Sequence, residues 1–359
     1  MITFGFITIH PNQENTYITE IARHSDSNTI VYRFIPTAID PATEKVHGEK
    51  FNHESGVWET AVFDIPMYLY DRCFYGDDPL SIRSQPIMNW LKNRPYSTFI
   101  GLGLPNKWEI YNVLRSDEEL AAYTPKTIKA SSVPKIINKL IKDKKLLLKP
   151  KNGSQGKGII GLMVTKGKVE ALTHKNQKLI TKSFLSKSEF SKWLDQLLSS
   201  RDYMCQQLLP LQDVDNHPFD IRILLQKNEN GEWIEQGRGI RRGLKDHLIS
   251  NINAGAEVLK YDDWVNALPV QQQALLTDGI TTIINKVPKL LEREFLNLFE
   301  LGIDIGFGID GGVWILDINS KPGRKVILHS KEGKADELYK APLQYSAYLE
   351  KQSLVKGVD

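Results

Sequence analysis

Short apolar runs bounded by turn residues alternate along this chain with longer segments whose apolar positions recur every three or four residues. That mixture predicts strands interleaved with amphipathic helices. "TFGFITIH", "TIVYRFIPTAI" and "VFDIPMYLY" read as strands, the last ending at Asp71-Arg72. The polar, turn-rich stretch from Pro41 to Ser55 reads as a loop, and "SQPIMNWLKNR" as a helix. Another helix is expected from about Lys107. In "SVPKIINKLIKDKKLLLKP", Ile136, Ile137, Leu140 and Ile141 form a stripe at helical spacing. Lys135, Lys139 and Lys142 make its solvated side, and Leu146 to Leu148 a buried strand. A strand pair at 158–172 follows, turning at Lys166-Gly167, then the amphipathic helix "SKSEFSKWLDQLLSS". "YMCQQLLPL", "FDIRILLQ" and "EWIEQGRGIRR" are three more strands. A helical segment from Val270 to Phe299, interrupted near Pro288, precedes two short strands in "GIDIGFGIDGGVWILDIN", and a C-terminal helix closes the chain.

Length and composition narrow the class. At 359 residues the chain has room for two or three domains with substantial cores. Lys plus Arg number 46 against 43 acids, a near balance without the strongly basic footprint of a nucleic-acid binder. Cys73 and Cys205 are too few for a disulfide framework and suit a reducing, cytoplasmic setting. The histidines show no zinc-like spacing. The first residues lack the basic and apolar regions of a signal peptide. No apolar run approaches the roughly 20 residues that span a membrane.

"LLLKPKNGSQGKGII", Leu146 to Ile160, has the composition of a loop whose backbone N–H groups face an anion. It is not a P-loop, because Gly158 stands where the magnesium-binding hydroxyl belongs. Gly156, Gly158 and Gly161 spell G-x-G-x-x-G, but a strand follows instead of the helix a dinucleotide fold requires, so a dehydrogenase is disfavoured. A glycine-rich loop joining two strands is what remains.

The densest chemistry lies at 302–323. With Asp310 and Gly311 as a two-residue hairpin loop, Asp304 falls across from Asp317, their Cβ atoms about 4.5–5.5 Å apart. Asn319 shares that face, giving two carboxylates and a carboxamide suited to magnesium. The competing reading, two separate solvent-facing aspartates, fits poorly with their apolar strands. In "FDIRILL", Asp220 and Arg222 share one face; Arg222 is either half of a structural pair or a fork for phosphate oxygens. Arg238, Arg241 and Arg242 add positive charge on the next strand, and "NINAGAE" is a small-residue loop able to approach a ligand.

Taken in order, residues 105–325 resemble the ATP-grasp fold, an α+β / α/β architecture with, here, a small N-terminal α/β domain. Within it the chain is similar to the glutathione synthetase-like group, and most closely to the YheC/YheD-like proteins, described as endospore coat-associated. "PNKWEIYNVL", "LLLKPKNGSQGKGI", "FDIRILLQ", "DINSKPGRKV" and "YLYDRC" carry that likeness. The expected division is 1–104, an N-terminal domain; 105–205, an ATP-grasp subdomain with the glycine loop; and 206–359, the subdomain with the magnesium site.

The resemblance implies an ATP- and magnesium-dependent ligase that joins a small-molecule or peptide carboxylate to an amine through an acylphosphate, with neither nucleic acid nor membrane as partner. Lys107 and Lys149 match the lysines that reach the ATP phosphates, and Gly153, Ser154, Gly156 and Gly158 the loop that covers them. Gln206, with the backbone of Gln207 and Leu208, matches the hinge beside adenine. Arg222 corresponds to the arginine that neutralises the γ-phosphate, with Arg238 in a related role. Asp304, Asp317 and Asn319 fall on magnesium ligands, Asn253 on a substrate position, and Arg324 is a candidate carboxylate clamp. Members of the fold more commonly carry glutamate where this chain has Asp317, one methylene shorter. That departure supports a rival reading, a nucleotide-binding structural protein of the endospore coat without turnover. Cytoplasmic location and association with a spore are both implied.

Overall fold

A computed structural model describes the chain except residues 154–155, 176–177, 246, 248–249, 251–255, 331–334 and 357–359. The expected Ser154 and Asn253 therefore lie outside the described residues. Three sheets follow one another along the chain. The first contains β1 (Ile2–Ile7), β2 (Thr29–Phe34), β3 (Lys45–Asn52), β4 (Val57–Asp64), β5 (Tyr68–Asp71) and β6 (Thr98–Phe99), with helices α1 (Asn15–Arg23) and α2 (Pro79–Lys92). Its order is β4-β3-β2-β1-β5-β6, parallel around β1 and antiparallel toward β4. β1 buries both faces: Phe4 and Phe6 join one core and Ile7 another. Such a strand reads as a continuous apolar run.

Helices α3 (Lys107–Ser116) and α4 (Glu118–Ala122) lead into the second sheet. It is built from β7 (Thr127–Lys129), β8 (Lys145–Pro150), β9 (Ile160–Thr165), β10 (Lys168–Lys175), β11 (Lys178–Phe184) and β12 (Tyr203–Gln207). Helices α5 (Val133–Asp143) and α6 (Lys187–Ser200) cover one face. All residues of that core, including Ile136, Leu148, Phe190 and Cys205, come from this one unit. β8 and β9 pair antiparallel, so the glycine loop does join two strands.

The third sheet has the order β15-β14-β13-β16-β17. Its members are β13 (Phe219–Lys227), β14 (Trp233–Arg242), β15 (Glu257–Lys260), β16 (Glu300–Phe307) and β17 (Val313–Asn319). Between them run α7 (Tyr261–Asn266) and α8 (Val270–Phe295); α9 (Lys325–Ser330) and α10 (Asp336–Lys356) complete the chain. One face packs Ile221, Ile223, Ile303 and Ile305 against α3 and α8. A second core mixes Phe4, Phe6 and Tyr70 of the first sheet with Leu224, Phe299, Val326 and Leu338, joining first and third sheets.

The architecture is the mixed α/β arrangement expected, with differences in detail. Residues 45–52 form a strand because their outward side chains tolerate charge, as in the Lys45–Asp64 ion pair. "VFDIPMYLY" divides between β4 and β5, on either side of Pro66. β11 and β15 carry too little apolar alternation to be read in advance. α8 continues through Pro288, whose lost hydrogen bond is outweighed by burial of Ile283, Val287, Leu290 and Leu291.

A quartet of charges, three of them buried and Glu14 partly exposed, joins the first and third sheets. Arg72, fully buried, donates to both oxygens of Glu14 at 2.6 and 2.9 Å and to Glu300. Arg324 donates to Glu300 at 2.7 Å and lies 3.6 Å from the Tyr17 ring centroid. Removing one member leaves its partners buried and uncompensated. Arg72→Met is therefore expected to lower stability by about 3–5 kcal/mol, read as a fall in the urea midpoint; an unchanged midpoint would remove this network from the account of stability.

Candidate active site

A cleft of about 630 Å³ opens between the second and third sheets. Alternation along β8 gives the upper wall: Leu146 and Leu148 enter the unit's own core, while Lys145, Leu147 and Lys149 face the cleft. Met163, Leu172 and Leu316 add apolar surface, and Gln206 with 208–212 makes the side.

The floor depends on an irregularity. Near the turn β16 pairs with β17 as Phe307↔Val313 and Ile305↔Ile315; beyond it the register shifts and Asp304 pairs with Asp317, Gly302 with Asn319. Leu316 is the extra residue, a β-bulge. Val313, Ile315 and Ile318 are all in the core, whereas Leu316, Asp317 and Asn319 line the cleft. Strict alternation from Ile315 would have turned Asp317 and Asn319 into the core. The bulge also presents the Leu316 carbonyl, which accepts from Lys149 Nζ at 3.2 Å. The turn itself spans 308–312, closed by Gly308 N–H to the Gly312 carbonyl at 2.8 Å, so the two-residue Asp310-Gly311 loop is corrected. The Asp304–Asp317 pairing it anticipated is reached through a longer turn plus a bulge.

Charges alternate across this floor. Arg222 Nε lies 2.6 Å from Asp304 Oδ1, and Arg241 reaches Asp304 Oδ2 at 2.9 Å and Asp220 Oδ1 at 2.6 Å. The partner of Asp220 is thus Arg241 across the strand pair, not Arg222 beside it. Lys107 pairs with Asp317, and Asn319 Nδ2 donates to Asp317 Oδ2 at 3.3 Å. A Cβ on Gly302 would sit 2.8 Å from Arg222 Nη1, so glycine there leaves room for the guanidinium. Burial opposes the charge on Asp317, but Lys107, Lys149 and Arg222 overcome it and hold the carboxyl below its ordinary range. Burial raises Asp220 against the pull of Arg241. For Lys149 burial dominates, lowering the ammonium from 10.5 to about 8. Burial likewise lowers Arg222 despite Asp304.

This geometry can be set beside known proteins. The YheC/D-like ATP-grasp family model matches residues 97–349. The chain belongs to the YheC/D-like ATP-grasp family. It is 39% identical over its whole length to endospore coat-associated protein YheC of Bacillus subtilis (strain 168), covering 99% of that protein. Endospore coat-associated protein YheD of the same organism is 25% identical, over 83% of this chain and 66% of its own length. Among solved structures, D-cycloserine synthetase DcsG superposes with a TM-score of 0.55 at 10% identity, covering 98% of this chain and 99% of that one. The D-alanine-D-alanine ligase of Coxiella burnetii gives 0.52 at 11%, covering 100% and 99%. At that identity the likeness establishes the ATP-grasp fold.

Within this YheC/D-like chain the structure brings together Lys107, Lys149, Gly153, Gly156, Gln206, Leu208, Arg222, Asp304, Asp317 and Asn319 along one cleft. Two expectations, Arg238 and Arg324, are corrected, and two more residues, Gln207 and Gly158, lie outside the cleft lining. Arg238 is on the opposite face of β14, paired with Glu235 and lying over Tyr261; Arg241 occupies the cleft face in its place. Gln207 is exposed and outside the cleft lining, and the Leu208 amide already donates to the Lys145 carbonyl at 3.3 Å. Gly158 stands at the loop's base, where a Cβ would lie 3.0 Å from Pro150 Cγ. Arg324 reaches the cleft wall, but Glu300 and Tyr70 engage its guanidinium, so it is no free clamp. Arg241 reads in the sequence only as added charge, because alternation sets it opposite Arg238 but the β13–β14 register alone decides which of the two faces the cleft. His247, a further lining residue, lies tilted against His174 at 4.4 Å between ring centroids and carried no sequence signal.

The displaced Lys149 pKa has a measurable consequence. The folded chain releases this proton near pH 8 and the unfolded chain near 10.5, so the unfolded state holds more protons between those values. Stability relative to Lys149→Met should rise with pH across that window and be level below it. Urea midpoints of both proteins from pH 7 to 10.5 test this; a flat difference would mean that Lys149 keeps its ordinary pKa.

Proposed function

We propose that this chain is an ATP- and magnesium-dependent ligase joining a carboxylate to an amine. The observation that carries the reading is the convergence of Lys107, Lys149, Arg222 and Arg241 with Asp304, Asp317 and Asn319 in one cleft beside the glycine loop. On this reading residues 105–205 and 206–359 clasp the nucleotide, with the base against Leu147, Met163, Leu172 and Gln206. Residues 1–104 help to shape the acceptor end.

Asp304, Asp317 and Asn319 are the residues that would hold magnesium. All three offer hard oxygens, and Asp304 Oδ1 is buried without an aligned hydrogen bond despite the nearness of Arg222 Nε. Bound there, the ion would offset phosphate charge. The chain's own contribution is positioning and charge neutralisation, which phosphoryl transfer mainly requires. Lys107, Lys149, Arg222 and Arg241 would face the phosphate oxygens, and the ammonium of Lys149 would regain full charge beside them. The substrate carboxylate attacks the γ-phosphorus, releasing ADP and giving an acylphosphate. The amine then attacks the acyl carbon, phosphate leaves, and the amine's proton passes to solvent. The glycine loop would exclude water that otherwise hydrolyses the acylphosphate. Neither cysteine takes part: Cys73 and Cys205 are buried, and burial raises both thiols. The YheC and YheD relatives carry endospore coat names, and spore association is proposed here on that basis.

Calorimetry with ADP and a non-hydrolysable ATP analogue, with and without magnesium, is the direct test. Magnesium-dependent binding that weakens about ten-fold or more in Asp317→Asn is expected, since a charged ligand group is lost. Absence of binding to the wild type would overturn the ligase reading. In the same assay Arg241→Ala should weaken the analogue while Arg238→Ala leaves it within about two-fold, because Arg238 lies on the face of β14 away from the cleft. Equal losses in both would contradict the facing of β14.

A further inference from the structure

The near-neutral charge of the whole chain conceals a marked separation. Residues 127–207, the second sheet with its two helices, contain sixteen lysines and one arginine against five acids, net +12. The other 278 residues are net −9 within a total of +3. Six of these lysines share the side of the sheet on which α5 and α6 pack. Lys135 and Lys142 are on α5, Lys187 and Lys192 on α6. Lys178 and Lys182 alternate with the phase of Phe184, which enters the core beneath α6. All six are exposed, and none has a carboxylate within ion-pair distance among the described residues. Two further exposed lysines, Lys145 and Lys157, line the cleft itself. The surplus therefore extends from the outer surface to the cleft.

We propose that this lysine surface docks a carboxylate-rich polypeptide whose reacting end enters the cleft. The substrate role rests on the ligase reading above; the docking does not. The composition selects the partner. Arginine forks, which match phosphate bidentately, are almost absent, and among the described residues the unit's exposed large apolar side chains (Ile141, Ile180 and Leu185) include no aromatic on which a base could stack. Strongly hydrated ammonium groups on flexible stems instead suit many weak, exchangeable pairs with side-chain carboxylates. Such pairs are individually small, so affinity depends on their number and falls with salt.

The test uses the full chain and poly-L-glutamate, with a single-stranded oligonucleotide and phosphatidylglycerol vesicles as comparators. A variant with Lys135, Lys142, Lys178, Lys182, Lys187 and Lys192 all changed to Gln removes the outer surface and leaves the cleft intact. Poly-L-glutamate is expected to bind in low salt, to weaken as salt rises, and to weaken about ten-fold or more in the variant. ADP binding by the variant, unchanged, would report an intact fold. No binding of poly-L-glutamate, or equal binding by the variant, would overturn the proposal. Tighter binding of the oligonucleotide or vesicles would overturn it in favour of a nucleic acid or a membrane. Failure of ADP binding by the wild type would instead refute the ligase reading, leaving the docking result to stand alone.

Discussion

A strand that alternates strictly offers every second residue to each side, and β17 has to serve two sides whose demands conflict. Ile315 and Ile318 complete the core beneath the third sheet, yet Asp317 and Asn319 stand in the cleft. Only an odd residue between the two sets reconciles them, and Leu316 is that residue. The opposed Asp304, the pairing of Asp317 with Lys107, and the contact of Lys149 with a main-chain carbonyl all follow from it. Lys149 bonds a main-chain carbonyl and shows the cost of burial in its lowered pKa, whereas the other buried acids and bases of this floor are tolerable because each has an opposite charge beside it. Without that matching the desolvation cost would drive them neutral.

The same logic holds the molecule together elsewhere. Glu14, Arg72, Glu300 and Arg324 come from distant parts of the chain and satisfy one another where the first and third sheets meet. Lys321 joins the same region to Asp71 at 2.6 Å. The segment after Asn319 is thus gripped by the first sheet, which explains why residues of the first hundred reach the end of the cleft, as Glu14 and Phe74 do.

Much of this was legible in the sequence where apolar pattern and turn chemistry coincide. The amphipathic α5, the apolar β8 and β13, and the strand–loop–strand setting of the glycine loop follow from local spacing alone. The Asp304–Asp317 juxtaposition also emerged, but through compensating differences: the turn is longer than two residues, and the bulge restores the offset. What stayed hidden depends on partners remote in sequence. Whether Arg238 or Arg241 faces the cleft is decided by the register of β14 on β13. Arg324 looked available because its neighbours Glu300 and Tyr70 are set beside it only by the fold. The polar strands β3 and β11 gain their order from pairing, which local composition does not reveal. Whole-chain charge misled in the same way, since averaging cancels opposite units.

The distribution of cores divides the molecule mechanically. Phe4, Phe6, Phe299, Val326 and Leu338 lie in one continuous core, so the first and third sheets behave as a single frame. Every buried residue of the second sheet's core comes from within residues 127–207, the sheet, its own helices and the link between β7 and α5. The unit joins the frame covalently before β7 and after β12, and hydrogen bonds such as Lys107 N–H to the Lys151 carbonyl and Lys149 Nζ to the Leu316 carbonyl, both at 3.2 Å, also cross between them beside the cleft wall. Swinging it outward breaks no shared core. Lys145 and Lys149 belong to this unit, whereas Lys107, Arg222 and Arg241 share the frame with Asp304 and Asp317. The ion pairs of the floor therefore lie within the frame, while the Lys149 contact to the Leu316 carbonyl crosses to the unit.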